Sequence, residues 1–173
     1  SSDLSVSSIG AVSRMTTDAD PMTQGRAPGS ILFVCGMNAI RSPMAEAIAR
    51  TLLPSGTYVA SAGVRAGERD PFVDTVLEEI GLSLGRRQPQ TLDDLEDDYF
   101  DMVVTLAPEA HHAALELTRS SAVDVVYWPM PDPTVATGTR EQILGAYREV
   151  RDRLKRLIEE RLASRAAPPP EAV

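Results

Sequence analysis

The chain holds one cysteine, Cys35, and it opens the run Val34-Cys35-Gly36-Met37-Asn38-Ala39-Ile40-Arg41-Ser42-Pro43. An apolar stretch at 31–34 predicts a strand buried on both faces before the cysteine. Apolar residues at 44, 45, 48, 49, 52 and 53 predict a helix after it. A loop winding from a strand into a helix N-terminus can turn several backbone N–H groups onto one centre, where the helix dipole adds positive potential. Such a place binds an anion. The expected cradle is the backbone of Gly36, Met37, Asn38, Ala39, Ile40 and Arg41. Arg41 adds a planar fork that fits two oxygens of a phosphate-like ion. The same field favours thiolate at Cys35, which is the nucleophilic form. Ser42 can give its hydroxyl hydrogen to that sulfur, or its oxygen can cap the helix with Pro43 in the first turn. Asn38 tolerates the left-handed backbone that a tight loop demands.

Asp132 is the second chemical feature. It stands in Trp128-Pro129-Met130-Pro131-Asp132-Pro133, where prolines stiffen the loop before folding. A leaving oxygen needs a proton as its bond to phosphorus breaks; a carboxylic acid above the anion can supply it and then activate water. The remaining titratable features are plainer. His111 and His112 read as a solvated helix face, and Glu96, Asp97 and Asp98 as a solvated acidic stretch. One cysteine and two histidines exclude a disulfide framework and a usual zinc shell, so no metal and no cofactor are expected. With 25 acidic against 17 basic residues the net charge is −8, which argues against nucleic-acid binding. An anionic substrate must then be drawn by local positive charge, for which Arg65, Arg69 and Arg86 or Arg87 are candidates.

The elements that must position these groups alternate between strand and helix. Further strands are expected at 58–62, 101–106 and 124–128. Asp70-Pro71 opens a helix that Gly81 follows, residues 108–118 form another, and Thr139 with Gln142 completes a capping box for the longest one. This order implies an α/β domain at 30–163, a parallel sheet with helices on both faces. Ligands then sit beyond the carboxyl ends of the strands, at loops 35–42, 63–69 and 129–138. Residues 1–29 and 164–173 read as disordered tails, the second broken by three consecutive prolines. No stretch approaches a membrane span, and a lone cysteine suits a reducing cytoplasm.

The cysteine loop resembles that of the low-molecular-weight protein tyrosine phosphatases, Cys-x5-Arg-Ser. The likeness extends through Ser61-Ala62-Gly63 and Pro131-Asp132-Pro133 and covers about residues 30–163. It implies a flavodoxin-like sheet of four parallel strands in order 2-1-3-4. It also implies a metal-independent phosphomonoesterase acting on a phosphorylated protein or a small phosphomonoester. In that mechanism Cys35 forms a phosphocysteine, Arg41 and the loop hold the oxygens, and Asp132 is the acid. The chain departs from the pattern in places. Thr134, Val135 and Ala136 follow Asp-Pro where the family usually has two aromatics that flank a phosphotyrosine ring. Ile40 stands where a second, shielding cysteine is common, Ala39 where many members carry Ile or Thr, and Arg87 where a histidine is frequent. The segments 103–106 and 138–152 are similar to the thioredoxin-coupled arsenate reductases, which pass an electron pair along three cysteines. Ala107 occupies their second cysteine position, so that internal relay is impossible here. A single-cysteine arsenate reductase or arsenate:thiol transferase using an external thiol is the alternative expectation.

Overall fold

In the computed structural model residues 28–96 and 99–164 are described. The two expected tails lie outside them apart from residues 28, 29 and 164, as do Asp97 and Asp98. Strands β1 (Ser30–Cys35), β2 (Tyr58–Gly63), β3 (Met102–Thr105) and β4 (Asp124–Tyr127) form one parallel sheet in the order β2-β1-β3-β4. Helices α1 (Arg41–Leu52), α2 (Pro71–Glu78), α3 (Pro108–Leu117) and α4 (Arg140–Ile158) link and cover the strands. This is the expected α/β architecture and strand order. β1 lies between β2 and β3, and both its faces are buried. Ile31, Phe33 and Cys35 pack into the core shared with α1, α2 and α4, while Leu32 and Val34 pack toward α3. That placement is why the strand reads as an unbroken apolar run rather than an alternation.

Side chains cap α2 and α4, whereas α1 and α3 start without a side-chain cap. Asp70 caps α2 by accepting from the Phe72 N–H at 2.9 Å, and Gly81 turns the chain beyond it with φ of 78°. Thr139 and Gln142 form the expected capping box, at 3.1 and 2.8 Å. α1, by contrast, starts after Ile40 with no side-chain cap. Ser42 does not cap it, because its hydroxyl is turned inward to the cysteine. In the first turn the Ser42 N–H meets the cysteine sulfur and Pro43 has no N–H, so the Arg41 N–H is the one left for a ligand.

The far end of α2 is clamped to α4. Glu79 pairs with Arg148 at 2.8 Å and with Arg151 at 2.7 Å, and Arg151 also donates to the Val76 carbonyl at 2.8 Å. Hydrogen bonds from Arg148, then Arg151, hold the Glu79 carboxyl down to about 2, from an ordinary 4.5. A depressed carboxylate stabilises the fold fully above its unfolded value, and the contribution is lost as pH falls through the folded one. Between pH 4.5 and about 2, Glu79→Gln should therefore lose less stability than the parent chain. Thermal melts across that window check this; parallel curves would count against the clamp. No helix among the described residues is long and apolar enough to cross a membrane.

Candidate functional site

The loops after β1, β2 and β4 meet at the carboxyl edge of the sheet around a cleft of about 230 Å³. Cys35 lies at its floor, only 2% exposed. The Cys35 Sγ is 3.0 Å from the Ser42 Oγ and accepts from the Ser42 N–H at 3.4 Å. Asn38 donates to the same Ser42 oxygen at 2.9 Å. The single hydroxyl hydrogen is therefore free to point at sulfur, its nearest acceptor; the Ala62 carbonyl is farther, at 3.4 Å.

Asn38 is fully buried and left-handed, with φ of 54°, as its place in the loop predicts. Every polar atom of its side chain is used. It donates to Ser42 and to Ser61 (3.0 Å), and its oxygen accepts from the Gln90 N–H (2.8 Å) and from Arg87 (3.0 Å). Behind it, Arg87 donates to Ser61 at 2.9 Å and pairs with the buried Glu46, to which Ser61 also donates. Burial pushes the Arg87 guanidinium below its ordinary value, and the Glu46 charge opposes that. Glu46 and Gln90 were not foreseen. The signal for Glu46 was a lone carboxylate beside Met44, Ala45 and Ile48 on the apolar face of α1.

The loop backbone is held from outside. The N–H groups of Val64, Arg65 and Gly67 donate to the carbonyls of Cys35, Gly36 and Met37 at 3.2, 2.9 and 2.9 Å. Among the described residues, no backbone N–H from Gly36 to Arg41 donates to an acceptor of the chain. Carbonyls are anchored outward and amides left free, the polarity an anion cradle needs. Gly63 makes this close approach possible. A Cβ there would sit 2.6 Å from the Asn38 nitrogen and 2.7 Å from the Met37 carbonyl carbon. Both are backbone atoms that cannot swing away. Gly63→Ala should shift the loop, weakening phosphate-analogue binding about tenfold or more and lowering the melting temperature; about 1–3 kcal/mol is the usual cost of overpacking. Calorimetric titration and a melt test it, and unchanged values for both would contradict the packing described.

The guanidinium of Arg41 donates to the Met130 carbonyl at 3.2 Å, joining the cysteine loop to the loop that carries Asp132. Asp132 opens a short turn, Pro133–Val135, and its Oδ1 accepts from the Thr134 N–H at 3.0 Å and hydroxyl at 2.7 Å. Burial raises its carboxyl, but the two Thr134 bonds and the Arg41 charge outweigh that and hold it below the ordinary carboxylate range. Met37, Ala39 and Ile40 line the cleft with Arg41, as do Glu68 and Asp70. Asp70 also accepts from the Tyr147 hydroxyl at 2.7 Å. Thr134 lines the cleft and Val135 is 76% exposed, so no aromatic side chain among the described residues walls it.

Two expectations change. Three of the arginines named for drawing an anion are already engaged: Arg65 with Glu109, Arg69 with Asp74, and Arg87 in the network behind Asn38. His111 is not a solvated residue. It bonds the Thr105 hydroxyl at 2.9 Å and stacks on Tyr127 at 4.6 Å, because α3 lays that turn against the sheet; His112 remains exposed.

Sheet order and cleft together define the class of cysteine-based enzymes that includes phosphatases and arsenate reductases. The chain belongs to the low molecular weight phosphotyrosine protein phosphatase family, whose model matches residues 30–166. It is 33% identical over 128 residues to an arsenate reductase of Halalkalibacterium halodurans, which covers 74% of this chain and 91% of that one. A solved arsenate reductase in its phosphate-binding state superposes with a TM-score of 0.65 at 26% identity, covering 79% of this chain and 98% of the other. The tyrosine phosphatase amsI of Erwinia amylovora shares the fold, with a TM-score of 0.68 at 23% identity over 83% of this chain and 97% of that one. Arsenate reductases thus stand at least as near as phosphatases, a shift from the order the sequence suggested.

Proposed function

We propose that the protein transfers arsenate to an external thiol through Cys35. The observation that carries this is the burial of the chain's only cysteine, 2% exposed, against the cleft that its sulfur lines. The thiolate of Cys35 attacks arsenic and displaces one hydroxyl, which leaves as water with a proton from Asp132, whose protonation the arriving anion favours. The amides of Gly36–Arg41 and the Arg41 guanidinium hold the remaining oxygens. An incoming thiol can reach arsenic in line with the sulfur but cannot reach the buried sulfur itself. It therefore takes the arsenate from Cys35, forming a new arsenic–sulfur bond as the old one breaks, and Asp132, ionised once it has given its proton to the departing water, accepts the proton of the thiol. Arsenic stays pentavalent in this step. A second external thiol then reduces the adduct to arsenite and forms a disulfide outside the chain. No second cysteine is needed, which fits Ala107, 4% exposed, at the position where the similar reductases carry one.

A second reading rests on Asp132. With water in place of the thiol, the same site would hydrolyse a phosphocysteine, with Asp132 as the acid toward a phosphomonoester. Metal-free turnover of p-nitrophenyl phosphate, measured beside arsenate-dependent consumption of a small thiol, separates the two. Thiol consumed in proportion to arsenate supports transfer; ester turnover with no arsenate-dependent loss of thiol overturns it.

A further inference from the structure

Away from this cleft, the last strand and the last helix enclose a second groove of about 330 Å³. Its walls are Tyr127, Trp128 and Pro129 on one side and Arg153, Arg156 and Arg161 on the other. None of these three arginines has an ion-pair or hydrogen-bonded side-chain partner among the described residues, although Arg148 and Arg151 on the same helix are each paired. Glu160, one turn beyond Arg156, is not bonded to it. In a chain of net charge −8, three open guanidinium groups in one concave place are an exception that like-charge repulsion opposes. Trp128 beside them is 4% exposed, and its indole N–H is the only buried side-chain donor or acceptor among the described residues without a partner.

We infer that this groove docks an acidic, extended segment of a partner protein. The spacing selects such an occupant. Arg153 and Arg156 lie on α4 and Arg161 on the π-helical turn Glu159–Ala163 that continues it, so the three are spread over roughly 12 Å along the axis. Carboxylates on alternate residues of an extended chain recur about every 7 Å, so two or three of them match the row. One tetrahedral oxyanion does not span it. The groove also borders β4, an edge strand with no described strand outside it, where an extended chain is readily accommodated. Each guanidinium can hold a carboxylate by two parallel hydrogen bonds. The site is independent of the reaction proposed above.

The full chain carries its own reporter, since Trp128 is its only tryptophan. A capped peptide of alternating glutamate and threonine should change Trp128 fluorescence saturably at low ionic strength, with weaker binding as salt rises. The triple variant R153E/R156E/R161E should lose about tenfold or more in affinity, while R153K/R156K/R161K keeps most of it; these surface pairs are individually weak. The lysine variant retains the positive charge at all three positions, so a glutamate variant that fails to fold does not leave the matter open. A lysine–threonine peptide should not bind. Equal binding by the glutamate variant, no saturable signal at low salt, or tripolyphosphate binding more tightly than the peptide would each overturn the inference.

Discussion

Cys35→Ser should abolish turnover of arsenate and of phosphate esters, by on the order of 10⁴-fold or more, because a hydroxyl is not ionised at neutral pH and the nucleophile is gone. The variant should still bind phosphate. The amides of Gly36–Arg41 are oriented by carbonyl bonds from Val64, Arg65 and Gly67 and by the filled Asn38 side chain, none of which involves the sulfur. Steady-state assays with a calorimetric phosphate titration read both halves. Retained turnover removes Cys35 from the chemistry, and lost binding removes the claim that the cradle stands without it.

Asp132→Asn should slow formation of the cysteine adduct from esters with poor leaving groups by about 10²–10⁴-fold, the usual range for a lost general acid, and from p-nitrophenyl phosphate far less, as read by single-turnover release of the leaving group. An asparagine cannot protonate an alkoxide, whereas nitrophenolate hardly needs the proton. The pH dependence carries a sign. The Asp132 carboxyl is held below its ordinary value, so it is an anion at neutral pH in the free protein. Acid catalysis on poor leaving groups should therefore strengthen as pH falls, and the variant should lose that rise. An arriving dianion opposes the carboxylate's charge and favours its protonation as substrate binds. Equal losses on good and poor leaving groups would count against Asp132.

Much of this was legible in the residues. A buried strand, a loop with one cysteine, and Arg-Ser-Pro at a helix start specify an anion site because each part has its own physical reason. Asn38 could be foreseen as left-handed because few side chains tolerate that backbone. The capping box at Thr139 is a pattern of two residues three apart, and it formed as read. The misses are of another kind. Ser42 had two roles open, and burial decided between them. Arg87 reaches Asn38 across 49 positions of chain, and Glu46 reaches it through Ser61, 15 positions away. No periodicity encodes such pairings; they exist only once β2 and α1 are packed. The same is true of Arg65 and Arg69, whose partners Glu109 and Asp74 sit on α3 and α2. His111 was misread because a polar helix stretch looks solvated until the sheet beneath supplies Thr105 and Tyr127.

The most direct test of the account traps the covalent state that both chemistries share. Asp132→Asn with p-nitrophenyl phosphate should form the cysteine adduct almost normally but release it slowly, since the base for the second step is gone. Acid quenching during turnover followed by mass analysis of the peptides should find one phosphoryl group on Cys35 and on no other residue. Turnover with Cys35 never modified, or with the phosphoryl group on another side chain, would contradict it.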